Sequence, residues 1–579
     1  MVERVGGIYV KNKAIAQILT EISILVEVAG EQIYKARAYS RAARSIRNLG
    51  EDIEAVAERG ELTDIPGIGK GIAEKIDSYL ETGSIDELER LRKKVPINVA
   101  ELESIPGVGP KTIKLLYDEL KIVDLDSLER AARAGKIVDL KGMGEKTVNQ
   151  ILEGIELVRS GLGRTLLADA LMAAERMGTH LSSQAKVKKL TLAGSIRRRR
   201  ETIGDVDILV DADDWESVVE AFVSLDDVED IIVRGTTKTS IRLKGGLQMD
   251  LRLLPSESYG AGLQYFTGSV DHNVRLRSIA RKAGLKLNEY GLFKEEECIA
   301  GENEVDIYRE LGLDFVVPEL RENTGEVEAA QSGSLPDLIS QSDIRGDLHG
   351  HTDQSDGANT LEEMLNAASA LDYEYYCVSD HTQSLTIANG MDEDEVLARI
   401  EEIDKLNASG MWDMQVLKGT EVDILANGEM DLDDAVLEAL DIVTASIHSR
   451  MKDSKEKMTE RVCTALENPH VHVLGHPTGR LLLKRPEYEI DLDAVFEVAR
   501  RNNVVMELNA HPMRLDLNAG NLRKATSAGL KIVINTDAHR TDELENMRYG
   551  LFQARRGWLT KDDVINTYPL DDLLKVLRK

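Results

Sequence analysis

At 579 residues the chain exceeds what one hydrophobic core usually holds, roughly 250 to 300 residues, so three or more globular units are expected. It has 42% hydrophobic residues but no uninterrupted apolar stretch of membrane length, and its opening MVERVGGIYVKNK lacks the apolar centre of a signal peptide; a soluble, cytoplasmic protein with no membrane partner is expected. The formal net charge of -30 excludes a uniformly basic surface, though not local patches that bind phosphate.

The charge is uneven. Lys+Arg stand against Asp+Glu as 24 to 27 over residues 1–160, 22 to 31 over 161–340 and 26 to 44 over 341–579. The near-neutral first third is therefore the candidate for nucleic acid. Nine of the 11 histidines lie after residue 340, which predicts a metal centre in the most acidic third. Cys298, Cys377 and Cys463 lie far apart with no CxxC spacing, so buried reduced thiols are expected and not a disulfide framework or thiolate metal site.

A motif recurs in the first third: IPGIGKGIAEKI at 65–76, IPGVGPKTIKLL at 105–116 and LKGMGEKTVNQIL at 140–152. Each reads as a helix end, a Gly-x-Gly turn and a new helix with a lysine near its start. The glycine pairs Gly67/Gly69 and Gly107/Gly109 let backbone approach a ligand, and the next helix turns its free amides toward an anion. Such a hairpin grips a DNA phosphate without reading sequence. The three copies resemble helix-hairpin-helix motifs. YKARAYSRAARSI at 34–46 together with Lys75 resembles the lyase domain of family X DNA polymerases. That resemblance implies a Schiff-base role for Lys75 and DNA phosphate contacts for Lys35 and Tyr39; an ordinary phosphate-contacting lysine is the equal alternative.

In the middle third, GDVDILV reads as a strand, whose alternation turns Asp205 and Asp207 to the same face. A second apolar strand, LQMDLRLL, supplies Asp250. Three carboxylates converging from neighbouring strands would bind two Mg²⁺ ions for nucleotidyl transfer. The preceding GSIRR brings Gly194, Ser195 and Arg198 beside that site, where a hydroxyl and a guanidinium can hold the outer phosphates of a triphosphate. YFTGSVDHNVRLR at 265–277 resembles the nucleotide-selection helix of family X polymerases. By that resemblance Tyr265, Phe266 and Gly268 exclude a 2′-hydroxyl, Asn273 reaches the minor-groove edge of the incoming base and Arg277 contacts the template. Val270 departs from the polar or charged residue that some relatives stack over the base. LKLNEYGLF at 285–293 continues the match, which covers roughly residues 1–318.

RENTGEVEAAQSGSLPDLISQSD reads as a polar linker. Seven short apolar segments follow, each running into metal-ligand chemistry: IRGDLHGHT, YYCVSDHT, VLKGTEVDI, IVTASIHS, HVLGHPTG, VVMELNAHP and KIVINTDAH. Helical patterns such as TLEEMLNAASALD and DLDAVFEVARRNN separate them. Strand, ligand loop and helix in repetition predict a seven-stranded parallel β/α barrel with its site at the carboxyl ends of the strands. The expected ligands are His349, His351, Asp356, His381, Glu421, His448, His476, Asp537 and His539. Nine nitrogen and oxygen donors exceed one ion's needs, so two or three ions are expected, with Glu421 as a bridge; Mn²⁺, Zn²⁺ and Fe²⁺ all suit the set. Clustered ions that activate water and clamp phosphate oxygens hydrolyse phosphoesters. The set resembles the PHP (polymerase and histidinol phosphatase) domain. Arg480 and Arg514 are candidate phosphate contacts, and His470, His472 and His511 read as core histidines.

The fold expected is therefore multidomain: an α-helical helix-hairpin-helix region (1–90 lyase-like, 91–160 fingers-like), an α+β nucleotidyltransferase palm (161–255) with thumb (256–318), a linker (319–340) and a C-terminal (β/α)7 PHP barrel (341–579). The resemblances imply a DNA-directed DNA polymerase that fills short gaps in base excision repair from dNTPs. They further imply a barrel acting at 3′ ends as 3′-5′ exonuclease, 3′-phosphatase or abasic-site endonuclease. A monomer bound to gapped or primed duplex DNA is expected. The alternatives at this stage are a template-independent nucleotidyltransferase, or a polymerase whose barrel is only structural.

Overall fold

A computed structural model of the chain describes residues 8–47, 53–82, 84–103, 105, 108–138, 140, 143–144, 147–148, 151–152, 155 and 163–577. Its contacts define two compact units, one of residues 1–163, 210–242 and 250–254, the other of residues 164–209, 243–249 and 255–579.

The first unit begins with short helices, among them Ile8–Val28, Ile33–Arg47, Lys70–Thr82, Asp86–Lys94 and Pro110–Leu120. Apolar residues at helical spacing, such as Ile15, Leu19 and Ile22, build a cluster that runs without a break to Ile155. Ile85, Leu88, Leu91 and Val95 belong to it, so the hairpin regions on either side of residue 90 share one core. Helix starts carry their own signals: Asp124 caps Leu125–Arg133 by accepting the Ser127 amide at 2.7 Å, and Pro110 opens its helix where a missing N–H costs nothing. Strands Val228–Arg234 and Lys238–Leu243 lie side by side in this unit.

In the second unit, strand Val187–Ala193 lies beside strand Asp205–Ala212. Helices Tyr259–Thr267 and Val270–Lys282 pack with the antiparallel strands Lys286–Asn288, Gly291–Lys294 and Glu297–Ala300 over a core that includes Leu276, Leu292, Ile307 and Tyr308. The stretch expected as a linker is folded. Helix Glu326–Ser332 lies within it, and Leu320, Val327, Ala330 and Ile339 are buried. Its polar residues enter the interior as pairs: Arg321 bonds Glu304 and the Val316 carbonyl, and Glu326 bonds His272. Composition alone reads such a stretch as solvated, because it does not reveal that the buried polar groups find hydrogen-bond partners.

The barrel has seven parallel strands in sequential order: Gly346–Asp347, Tyr375–Val378, Gln415–Asp423, Ile442–Ser446, Val473–Leu474, Val505–Asn509 and Ile532–Asn535. A parallel bridge from Gly350 to Ala538 brings the last strand back to the first. The helical patterns noted between the strands form helices Leu361–Ala370 and Leu492–Arg501. Six of the strands, and Leu348 just past the first, contribute to one apolar cluster, which includes Cys377, Leu417, Ile442, Val473, Val505 and Val533 and is joined by Leu573 and Leu577 of the C-terminal helix. This apolar filling leaves the other end of the barrel for polar chemistry.

Of the cysteines, only Cys377 is buried; Cys463 is half-buried and Cys298 exposed, all with free thiols. No helix among the described residues is long and apolar enough to cross a membrane.

Candidate metal centre and nucleotidyl-transfer site

The barrel's parallel strands deliver their C-terminal residues to one rim. His349 and His351 follow the first strand, His381 the second, Glu421 lies near the end of the third, His448 follows the fourth, His476 the fifth, and Asp537 and His539 the seventh. Asp356 comes from the loop after the first strand. Three sets of donor atoms each lie within 4.8 Å of one another: His351, Asp356, His381 and His539; His349, His351, Glu421 and Asp537; and His381, Glu421 and His448. His476 joins them through Nε2, 2.9 Å from Glu421 Oε1. The structure thus gathers all nine expected donors. Glu421, 1% exposed and shared by two sets, sits at the centre where a bridging carboxylate belongs. His349 Nε2, His351 Nδ1, His381 Nδ1 and His476 Nδ1 are buried without a hydrogen-bond partner, which is the unmet need a cation would satisfy. The donors therefore fit a cluster of ions that, when bound, would activate water and neutralise phosphate charge.

Charge within the cluster is strongly coupled. Burial alone would raise the Glu421 carboxyl, but His448, His381 and His349 hold it well below the usual range. Asp537 is held down in the same way by His349, His351 and His539. Burial would lower the His448 imidazole; Glu421 and Asp423 outweigh it and push the group up to about 10. His539 is raised to about 9 by Asp356 and Asp537 against the same burial penalty. His351 goes the other way, to about 3, through burial and the neighbouring His539 and His381. These shifts are the ones the side chains impose on one another; bound cations would displace the imidazole protons.

The sixth strand supplies no imidazole to the cluster. It brings Glu507, fully buried, which accepts from His349 Nδ1 at 2.7 Å and from the His476 amide at 2.6 Å. Asn509, two residues on and facing the same way, donates to Asp537 Oδ2 at 2.9 Å, and Asp423 lies 3.2 Å from His448 Nδ1. These residues orient the candidate ligands and would fix which ring nitrogen faces a bound ion. The signal for Glu507 was a carboxylate on the same strand face as Asn509, within an otherwise apolar strand. His470, His472 and His511, expected in the core, are half-buried.

The two arginines part company. Arg514 Nε lies 3.4 Å from Asp537 Oδ2 at the rim. Arg480 is not a free phosphate contact: it is buried, donates to the Arg514 carbonyl at 2.9 Å and to the Leu515 carbonyl, and pairs with Glu201 at 2.8 Å. Its guanidinium is spent on holding the 511–516 loop.

On strand Asp205–Ala212, Val206 and Ile208 are buried while Asp205 is exposed and Asp207 half-buried, as alternation requires. The turn before it is shaped around Asp207. Gly194 has φ +65°, and a Cβ there would stand 2.6 Å from Asp207 Oδ2. Only glycine permits that approach. Ser195 is half-buried on the same turn. Arg198 reaches the thumb, donating to Glu322 at 3.1 Å and to the Thr267 carbonyl, and it lies against Gly268, whose φ is +68°. Tyr265 and Phe266 meet edge to face with ring centroids 5.1 Å apart. Asn273 donates to the Tyr265 carbonyl and accepts from Gln264, both at 2.7 Å. Val270 is exposed at the start of its helix, where Arg277 lies half-buried. In the first unit, buried Asp250 pairs with Lys238 at 3.0 Å.

In the hairpins, Gly69, Gly109 and Gly144 occupy equivalent positions, and none has a heavy atom within 4 Å of where a Cβ would stand. Gly69 and Gly109 immediately precede helices Lys70–Thr82 and Pro110–Leu120, leaving open backbone at each helix start. Gly67 instead packs on Arg41. Gly107 lies outside the described residues, as do Lys141, Gly142, Glu145 and Lys146 of the third repeat. Tyr39 is buried and donates to Glu87 at 2.6 Å; Lys75 pairs with the same carboxylate at 3.2 Å. Lys35 is exposed.

Fold and site together define a metal-dependent phosphoesterase barrel joined to a nucleotide-transferring, hairpin-bearing region. Family models match in the same order: a helix-hairpin-helix domain over residues 10–85, a SAM-like helix-hairpin-helix tandem over 99–156, a DNA polymerase beta thumb over 262–322 and a PHP domain over 347–511. The protein named DNA polymerase/3′-5′ exonuclease PolX of Bacillus subtilis (strain 168) is 38% identical over 572 residues, 98% of this chain and 99% of its own length. The chain belongs to the family X DNA polymerases that carry a PHP domain. DNA polymerase lambda of Rattus norvegicus is 26% identical over 54% of this chain and 56% of its own. A protein of Thermoanaerobacter sp. (strain X514) named "Probable phosphatase Teth514_1060" is 28% identical over 38% of this chain and 89% of its own.

Proposed function

We propose that this chain is a DNA-directed DNA polymerase that fills short gaps during repair, and that its barrel hydrolyses phosphoesters at 3′ ends as a 3′-5′ exonuclease. The carrying observation is the meeting of nine donors at one barrel rim in a chain that aligns end to end with a protein named as both polymerase and exonuclease. Open backbone at Gly69 and Gly109 would take DNA phosphates. Asp205, Asp207 and Asp250 would hold two Mg²⁺ ions, with Ser195 and Arg198 on the triphosphate of a dNTP. Tyr265, Phe266 and Gly268 would select deoxyribose, with Asn273 and Arg277 on base and template. The nine barrel residues would hold two or three ions, Mn²⁺ or Zn²⁺, with Arg514 steering the scissile phosphate.

The test is a gapped-DNA assay of three proteins with metal analysis of each. Asp205→Ala with Asp207→Ala should abolish extension and leave 3′ excision intact. His349→Ala with His351→Ala should do the reverse and lower the bound metal. Loss of both activities in either double variant would refute the division of labour between palm and barrel.

A further inference from the structure

The loop after the second barrel strand, residues 382–391, is closed at its base on His381 itself. The Met391 amide donates to the His381 carbonyl at 2.8 Å, and Thr382 and Met391 form a parallel bridge. Gly390 lies so close beneath that a Cβ would stand 1.9 Å from the Thr382 carbonyl oxygen. Midway, Ser384 is tied through its amide, at 2.7 Å, and its hydroxyl to Asp431. Asn389 donates at 3.5 Å to the Gln354 carbonyl, in the loop that carries Asp356. Ala388 and Met391 turn inward and are 3% and 1% exposed. Ile387 alone turns out, 94% exposed, the most exposed large apolar side chain among the described residues.

A loop pinned at base, middle and flank holds its tip in place, and this tip is a branched aliphatic group six residues on from His381, two from the Asn389 bond to the loop that carries Asp356. Scattered exposed isoleucines are ordinary. This one differs because its loop springs directly from a donor of the metal cluster and is braced against a loop that carries another. For a held apolar side chain on a loop that springs from a nuclease site, the suited occupant is the flat face of a nucleobase, since wedges such as leucine and isoleucine insert between base steps and unstack them. A paired 3′ terminus cannot enter a buried cluster until its last nucleotide leaves the helix.

We propose that Ile387 is a positioning residue for exonuclease action on duplex DNA: it wedges against the terminal base pair and frees the 3′ nucleotide for the cluster. The proposal rests on the exonuclease reading above. It makes no demand on single strands, whose ends are already free.

The experiment compares full-length wild type, Ile387→Ser and Ile387→Leu in Mn²⁺ on one 5′-labelled oligonucleotide. It is presented single-stranded, fully paired at its 3′ end, and paired except for a terminal mismatch. Ile387→Ser should excise from the single strand within twofold of wild type, lose about tenfold on the paired end, and recover most of that loss on the mismatch. Ile387→Leu should behave as wild type on all three. If the serine variant leaves the ratio of paired to single-strand rates unchanged, or leucine fails to restore it, the wedge is refuted while the exonuclease stands. If wild type releases no nucleotide from any of the three, the exonuclease reading falls and the wedge with it.

Discussion

Arg480 and Glu201, 279 positions apart in the chain, face each other as a paired guanidinium and carboxylate, with Nη2 to Oε1 at 2.8 Å and Nη1 to Oε2 at 3.4 Å. Glu201 closes the run of arginines that follows Gly194, and it also accepts from Gln553. Arg480 in turn holds the loop that presents Arg514 to Asp537. Burial alone would raise the Glu201 carboxyl, but Arg480 outweighs it and holds the group below its ordinary 4.5. A carboxyl lowered in the folded state contributes stability that is complete above its unfolded value and lost as pH falls through the folded one. Glu201→Gln should therefore lower the unfolding temperature of the second unit at pH 7 by roughly 2–6 °C, with the gap from wild type closing as pH drops below 4.5. Calorimetry at pH 7, 5 and 4 measures it; a gap that widens on acidification would contradict the pairing.

Stripped of ions, the barrel would hold protons where cations bind. With His448 at about 10 and His539 at about 9, both are charged at pH 7.5 until an ion displaces the proton. Mn²⁺ or Zn²⁺ added to chelator-stripped protein should therefore release protons, and apparent affinity should fall as pH is lowered from 8 to 6. Calorimetric titrations in buffers of differing ionisation enthalpy detect the release. Equal heats in all buffers would mean that the imidazoles were already neutral. Chelation itself should cost stability, because buried ring nitrogens such as His349 Nε2 and His351 Nδ1 have no hydrogen-bond partner within the protein.

What the sequence disclosed and what it concealed follow one physical rule. Candidate ligands at strand ends were legible, since one apolar run ends in His-x-His, another in Asp-x-His, and four more end near a single histidine or glutamate, His381, Glu421, His448 and His476. The supports were not. Glu507 stands inside VVMELNA, where it looks like an accident of a buried strand until His349 is seen against it. Arg480 has the composition of a phosphate contact and is instead consumed by Glu201. Residues 319–340 read as solvated because Arg321 and Glu326 are charged, yet each is fully buried, Arg321 against Glu304 and Glu326 against the His272 ring and the Asn323 and Thr324 amides. Pairings of this kind depend on which segments meet, and no local pattern encodes that.

The Gly194 turn makes a sharp demand on one atom. With φ at +65° and a Cβ position 2.6 Å from Asp207 Oδ2, Gly194→Ala must displace the carboxylate as well as strain the backbone. Displacing a catalytic group by about 1 Å can cost on the order of 10²-fold in rate. Gly194→Ala should lower single-turnover extension on gapped DNA by about that factor, leave gapped-DNA affinity within twofold, and leave 3′ excision untouched. An extension rate near wild type would show that Asp207 does not need its present position.

The surroundings of Lys75 bear directly on Schiff-base chemistry. A Schiff base needs the amine free to reach a sugar aldehyde, whereas Lys75 Nζ is held 3.2 Å from the Glu87 carboxylate. Tyr39 donates to the same carboxylate, and those two hydrogen bonds outweigh burial in holding Glu87 below its ordinary range. On incised abasic-site DNA, wild type should therefore give little borohydride-trapped adduct at pH 7. Glu87→Gln removes the negative charge and keeps the shape, so it should raise trapping several-fold, and adding Lys75→Ala should return it to background. Gel analysis of the trapped adduct reads all three. Efficient trapping by wild type that Glu87→Gln does not increase would mean that DNA binding itself breaks the Lys75–Glu87 pair.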